Sequence, residues 1–238
     1  MILSFLNYWI LSNAQKYFQD TKIDSHWIIV KKNTLILVKD QSIETMFTQI
    51  NTAISRYVNF TQAELNIFNS LLSFRQIKKK TIMLQKGEKC TFDAFVVRGC
   101  IRKYYIDENG YEVILQFAVE NSWISDISFS IYETASSHVF IETVENADLL
   151  IFTPETKEQL FERAPRFERA FRILMQRHLA VTQNRLLHNI TCTAEQKYDE
   201  FLHTYPTIPL RVPQHYIASY LGISPEFLSK IRSRKLKS

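Results

Sequence analysis

The chain has 238 residues, 29 Lys and Arg against 24 Asp and Glu, and a hydrophobic content of 46%. This composition allows one large packed domain or two small ones, and four glycines and six prolines argue against extended linkers. No run of 18 apolar residues is present, which argues against a membrane-spanning helix, and three scattered cysteines without a CxxC pair fit a reducing cytoplasm.

The first part of the chain has no sustained hydrophobic periodicity. Residues 1–45 are rich in Asn, Lys and Ile, with short hydrophobic bursts at Trp27–Val30 and Leu35–Val38. The apolar start Met1–Leu11 is short and no Lys or Arg precedes it, which argues against a secretory signal. We interpret residues 1–45 as an N-terminal extension or as upstream sequence translated from a wrongly chosen start, and favour the second.

A helix and then a series of strands are predicted in residues 46–165. Thr61 is a predicted N-cap, and Glu64 follows it as in a capping box. Apolar residues then recur on one side of this helix: Leu65, Phe68, Leu71 and Leu72. Several short strands at near-regular spacing predict a small antiparallel sandwich or barrel. These strands include Phe95–Val97, Ile101–Ile106, Val113–Val119 and Val139–Val144, with a hairpin turn at Asp107–Gly110.

A long helix is predicted over residues 166–190, with Pro165 compatible with its start. Apolar residues at 4-3-4-3 spacing lie on one stripe of this helix: Phe167, Phe171, Leu174, His178 and Val181. Such a stripe is either the side of a core helix or the seam of a dimer. The seam is favoured because DNA-reading proteins of the helix-turn-helix class commonly bind two half-sites as dimers.

Residues 191–238 contain the spacing of a helix-turn-helix, after a short predicted helix at Ala194–His203. Ala218 is small where two helices must approach closely, and Gly222 follows where the turn requires a positive φ. Ser224 is a predicted N-cap with Pro225 at the first helical position. The second helix then has an apolar side, Leu228 and Ile231, and a polar side: Glu226, Ser229, Lys230, Arg232 and Ser233. A helix of this kind suits a DNA major groove.

The positive charge of the chain is concentrated in the same segment. Residues 211–238 contain six Lys or Arg and a single acid, Glu226, which gives a net charge of +5. The whole chain also carries +5, so residues 1–210 are neutral in sum. This distribution places all the net positive charge on the segment that would meet phosphates.

A stretch of the strand region resembles the β-roll of the Crp/Fnr transcription regulators. The resemblance depends on Gly87, Glu88, Val97, Gly99 and Gly110 at the family spacing, and on the order β-roll, long helix, helix-turn-helix over residues 46–238. It implies an α+β protein with an antiparallel, jelly-roll-like sensor domain, a long dimerisation helix and a C-terminal helical helix-turn-helix. It also implies a homodimer that binds double-stranded DNA, with a small-molecule or redox signal read by the roll.

The family's cyclic AMP site is incomplete in this sequence. Alignment through Ser137 places Asp126 at the family's ribose-binding acid and Ser136 where the phosphate-binding arginine should stand. A serine replaces none of the attraction of a guanidinium for phosphate. Thr182 falls where the long helix offers a threonine to the base. We therefore expect an effector pocket at these four residues, and an effector other than cyclic AMP, or none.

Other site chemistries find little support in the sequence. Iron–sulfur members need four cysteines, mostly near the N-terminus, and the chain has three, so no metal or cofactor is expected. No GxSxG, P-loop, HExxH or GxGxxG motif is present, which argues against an enzyme.

The resemblance also assigns roles along the last helix. Pro225, Glu226 and Lys230 stand at the family's base-reading positions in a recognition helix that would begin at Ser224. Further polar residues are expected to contact phosphates: Ser229, Arg232, Arg234 and Lys235. Because the sequence ends directly after this helix, we expect a helix-turn-helix without the β-hairpin wing that many members add. The alternative function is a cyclic-nucleotide-binding-like sensor or interaction module without sequence-specific DNA binding.

Overall fold

The structure is a computed structural model that describes residues 29–31, 34–36, 40–127 and 136–235. The chain divides into two compact units, residues 1–45 and residues 46–238. The first unit contains an antiparallel pair of strands, β1 (Ile29–Lys31) and β2 (Thr34–Ile36). The rest of the two hydrophobic bursts predicted there lies outside the described residues.

Two helices precede the strand region: α1 (Asp40–Ser55) and α2 (Gln62–Ser70). The predicted capping box of α2 is confirmed, because the amide of Glu64 donates to the hydroxyl of Thr61 and the Glu64 carboxylate accepts from the Thr61 amide at 2.8 Å. These bonds from the backbone and hydroxyl of Thr61 lower the pKa of Glu64. Phe68 then enters the core.

Eight short strands form two antiparallel sheets of four strands each. The strands are β3 (Ser73–Ile77), β4 (Ile82–Leu84), β5 (Asp93–Arg98), β6 (Ile101–Ile106), β7 (Glu112–Ala118), β8 (Trp123–Ile124), β9 (Phe140–Thr143) and β10 (Ala147–Phe152). Their order is β3-β10-β5-β8 in one sheet and β4-β9-β6-β7 in the other. The predicted α+β class with an antiparallel roll is confirmed.

Two positions of the roll favour glycine for different physical reasons. At Gly99 (φ 111°) an added Cβ would lie 2.7 Å from the carbonyl oxygen of Asn146, so the corner between β5 and β6 excludes a side chain. At Gly87 (φ 94°) the space is open, so only the positive φ favours glycine there. A steric clash therefore excludes a side chain at Gly99 but not at Gly87.

Five helices follow the roll in the described part of the chain. They are α3 (Pro154–Arg163), α4 (Arg166–Thr191), α5 (Ala194–Thr204), α6 (Gln214–Leu221) and α7 (Pro225–Lys235), with a 3₁₀ turn at Ile208–Leu210 before α6. Within the described ranges, no helix is both long and apolar enough to cross a membrane.

The buried side chains form three clusters, of which one joins the roll to the last helices. One cluster fills the space between the two sheets, and a second packs helices α1 to α4 on the sheet that contains β5 and β10. The third contains Tyr104, Ile114 and Phe117 of β6 and β7 together with buried residues of α5, α6 and α7. The helix-turn-helix is thus docked on the roll through a shared core.

Candidate nucleic-acid interface

The turn between α6 and α7 has the geometry that its glycine predicts. Gly222 is left-handed (φ 68°), and its amide donates to the carbonyls of Ala218 and Ser219 at the end of α6. Ala218 is fully buried in the shared core, as its small size predicts. At the start of α7, the Ser224 hydroxyl accepts from the Phe227 amide at 3.2 Å, so Ser224 is an N-cap.

Helix α7 divides into a buried side and an exposed side. Leu228 and Ile231 are buried in the shared core, which fixes the rotation of the helix about its axis. Exposed residues of α7 line an open groove of about 800 Å³ together with Gln214 and His215 of α6. These α7 residues are Pro225, Glu226, Ser229, Lys230, Ser233 and Arg234.

The charged residues in and beside this groove differ in how far other residues bind them. Hydrogen bonds from its own amide and from the Ser224 hydroxyl lower the pKa of Glu226, which favours its ionised form. Arg232 is half-buried and donates to Gln214 Oε1 at 3.3 Å, which joins α7 to the start of α6. Lys230 has no ion pair with any described residue. Lys230 is therefore the most available cation in the groove.

The two cations at the end of α7 face helix α5 as well as solvent. Arg234 lies 3.4 Å from Glu195, and Lys235 pairs with Asp199. Both pairs are largely exposed, so they cost little to exchange for phosphate contacts. The predicted phosphate role of Arg234 and Lys235 therefore requires these two surface pairs to open.

Helix α6 is bonded directly to strand β7 of the roll. The Ser219 hydroxyl donates to the Glu112 carbonyl at 2.6 Å and accepts from the Ile114 amide at 2.9 Å. From α4, Arg185 donates to the carbonyls of Leu115, Ile114 and Tyr220, and its guanidinium lies 3.8 Å from the Tyr220 ring. Three separate elements are thereby joined at one end of β7.

Two arginine clusters join the roll to the helix-turn-helix. Arg211 binds Glu120 and Glu145 at 2.7 Å each, and their hydrogen bonds raise its pKa above the usual range. Burial alone would lower the pKa of Arg102, but hydrogen bonds to Glu112 and Glu142 outweigh it and raise the pKa. Arg102 is also stacked between two tyrosines, Tyr104 of β6 and Tyr216 of α6, at 4.1 and 4.0 Å. No motif in the sequence indicated either cluster.

The four residues predicted to form an effector pocket are only partly brought together. Asp126 and Ser137 are buried and bonded to each other, with the Ser137 hydroxyl 2.7 Å from Asp126 Oδ2. Ser136 is exposed, and the Thr182 hydroxyl donates to the His178 carbonyl one helical turn earlier on α4. The acid expected to bind a ribose thus already has a hydroxyl partner from the protein.

The predicted dimer seam needs correction at its first residues. Phe167 is fully buried, and Phe171 packs against the same cluster of roll and helix residues. These two side chains are therefore covered by the core of their own chain and are not available to a dimer partner. Leu174 is half-buried, and His178 and Val181 are exposed. The exposed apolar residues of α4 instead include Met175, Leu179, Leu186 and Ile190, with 39% to 76% of each accessible.

Comparison with solved structures identifies the fold. No family model matches the chain, and no curated protein does. The fold is similar to that of CLP, a c-di-GMP-responsive global regulator from Xanthomonas campestris, with a TM-score of 0.60 and 16% identity over 74% of this chain and 92% of CLP. FixK2 from Bradyrhizobium japonicum has a TM-score of 0.60 and 16% identity over 68% of this chain and 83% of its own.

A third similar structure is a Crp/Fnr-family transcriptional regulator from Eubacterium rectale. Its TM-score is 0.58 at 18% identity, over 75% of this chain and 85% of its own. The chain therefore has the fold of the Crp/Fnr regulators, as its sequence resemblance predicts. At these identities the likeness establishes the fold and leaves the activity to be argued from the site.

Proposed function

We propose that the protein is a homodimeric transcription regulator that binds an inverted-repeat operator in double-stranded DNA. The observation that carries the proposal is the exposed polar side of α7, whose opposite side is anchored by Leu228 and Ile231. An anchored helix with an exposed polar and basic side is what major-groove reading requires. Glu226 would accept from a cytosine amine, and Lys230 would donate to guanine or phosphate.

Dimerisation is supported by the exposed apolar stripe on α4. Met175, Leu179, Leu186 and Ile190 follow one another at spacings of four, seven and four residues, which places them on one side of the helix. Two copies paired along this stripe would present two α7 helices, one to each half-site. The seam proposed here therefore begins later on α4 than the sequence alone predicts.

The proposal includes an effector other than cyclic AMP, or none. Asp126 is bonded to Ser137, and Ser136 supplies no charge at the position of the family's arginine. A titration with fluorescent cyclic AMP is expected to show no saturation at micromolar concentrations. Saturable micromolar binding would overturn this part of the proposal.

The test is a selection of bound sequences from a random DNA pool, followed by binding measurements with matched variants. The selection is expected to recover an inverted repeat. Lys230→Ala should weaken binding to it by about tenfold, roughly 1.4 kcal/mol, whereas Lys79→Ala on the roll should not change it. Glu226→Ala should relax the preference at one base pair of each half-site. Failure to bind any DNA at low salt would instead favour a sensor or interaction module.

A further inference from the structure

One apolar residue interrupts the polar side of α7 that faces the open groove. Among the described residues that line this groove, Pro225 alone has an apolar side chain. Its neighbours there include Glu226 and Ser229 of α7 and Gln214 of α6. Pro225 is exposed and lies outside the shared core that anchors α7. Packing within the protein therefore leaves the ring of Pro225 without an apolar partner in the groove.

The position of Pro225 is fixed by both helices of the motif. It is the first residue of α7, where a proline leaves no amide unpaired and its ring already holds the helical φ. Gln214 of α6 donates to the Pro225 carbonyl at 3.4 Å and accepts from Arg232 at 3.3 Å. Since a prolyl ring has almost no rotamer freedom to lose, a contact with it costs little conformational entropy.

The charge beside Pro225 indicates which part of the DNA this end of α7 would face. Hydrogen bonds lower the pKa of Glu226, so the residue that follows Pro225 favours its ionised form. A carboxylate is repelled by phosphates but can accept from the amine of a cytosine in the major groove. The start of α7 is therefore suited to base edges, which is where the first residues of a recognition helix bind.

The chemistry of the base edges limits what the ring of Pro225 can recognise. In the major groove of unmodified DNA the bases present hydrogen-bond donors, acceptors and one methyl group, the C5-methyl of thymine. A prolyl side chain has no polar atom, so a donor or acceptor placed against it would lose its water without gaining a partner. A methyl group placed there instead removes apolar surface of both partners from water. Thymine is therefore the base that suits this position.

We propose that Pro225 recognises one thymine in each half-site of the operator, through contact between its ring and the C5-methyl group. This thymine lies beside the base pair that Glu226 reads, because the two residues are consecutive at the start of α7. The proposal rests on the proposed function and names one base of the DNA that α7 recognises.

The test replaces thymine with uracil, which differs from thymine only in lacking the C5-methyl group. Each thymine in one half-site of the selected operator is replaced in turn, and fluorescence anisotropy measures the dissociation constant. One replacement should weaken binding by about fourfold, which corresponds to roughly 0.8 kcal/mol for one methyl group. At the same position, 5-methylcytosine should bind more tightly than cytosine by about the same factor.

Variants of the protein assign this methyl contact to Pro225. Pro225→Gly removes the ring and should abolish the difference between thymine and uracil at that position. Pro225→Val returns an apolar side chain and should restore the difference. Ser229→Ala is the matched control, because Ser229 lines the same groove one helical turn further on, and it should keep the difference of the parent. Circular dichroism would verify that all three variants remain folded.

The outcomes separate this proposal from the proposed function. An operator bound alike with thymine and with uracil at every position would overturn the thymine contact alone. A Pro225→Gly variant that keeps the full difference would do the same. Failure of the parent protein to bind any DNA would overturn the proposed function as well.

Discussion

Helices α6 and α7 pack against each other, but the outer side of α6 contacts the roll whereas the outer side of α7 is open to solvent. The Ser219 side of α6 is bonded to β7, and Tyr216 covers the buried Arg102. The outer side of α7 faces an open groove, where Glu226 and Lys230 have no ion pair with the described residues. One short motif therefore separates residues that stabilise the fold from residues available for binding.

The largest effect on stability is expected in the core that the roll shares with helices α5 to α7. Phe117 of β7 is buried against Phe201, Tyr205 and Tyr220 of the helical domain. Phe117→Ala should lower the free energy of unfolding by about 3–5 kcal/mol, because it leaves a cavity between roll and helices. Urea unfolding would measure the loss. Phe227→Ala is the control, because Phe227 of α7 is partly exposed. An equal loss of stability in this variant would refute the difference between the shared core and the open side of α7.

The turn between the two helices should have an intermediate effect. Gly222 has a φ of 68° and open space at the position of a Cβ. Gly222→Ala should therefore cost about 1–2 kcal/mol of stability through backbone strain alone. Thermal unfolding would measure this cost. A variant as stable as the parent would mean that the turn does not hold the left-handed conformation.

Acidification should loosen the docking of α6 on the roll. Burial raises the pKa of Glu120, but hydrogen bonds from Arg211 and from backbone amides outweigh it and lower the pKa below the usual 4.5. Since the folded state has the lower pKa, the stabilisation is fully present above pH 4.5 and is lost as the pH falls through the lowered value. Unfolding measured from pH 6 to pH 3 should therefore show falling stability. The same series with Glu120→Gln should fall less steeply, and parallel curves would exclude this carboxylate as the cause.

The smallest effect on stability is expected on the open side of α7. Ser229 is exposed and its side chain bonds no roll residue. Ser229→Ala should change the free energy of unfolding by less than about 0.5 kcal/mol. Its effect should appear in DNA binding alone, as a weaker affinity for all sequences. A measurable loss of stability would contradict the difference between the side of α6 that is bonded to the roll and the open side of α7.

Local chemistry made the helix-turn-helix predictable. The positive φ at Gly222, the cap at Ser224 and the small residue at Ala218 each follow from short-range spacing, and the structure has all three. The same holds for the capping box at Thr61. Helix α1 was not predicted, although Ile43, Phe47, Ile50 and Ile54 recur at helical spacing.

The docking contacts could not be read from sequence because their partners are far apart along the chain. Arg211 meets Glu120 and Glu145 only after the roll and helices have packed together, across 91 and 66 residues. Periodicity likewise cannot distinguish a stripe buried within one chain from a stripe buried between two. For this reason the sequence predicts Phe167 in a dimer seam, whereas the structure buries it in the core of its own chain.

The guanidinium of Arg185 has a kinetic consequence. Through its bonds to the Ile114, Leu115 and Tyr220 carbonyls, the long helix cannot turn about its axis without losing bonds to both the sheet and α6. The Ile114 amide is in turn bonded to Ser219. Amide hydrogens at these positions should therefore exchange with deuterium through one common opening, at similar rates in strand and helix. A movement of α4 would therefore be transmitted directly to β7 and α6 through these hydrogen bonds.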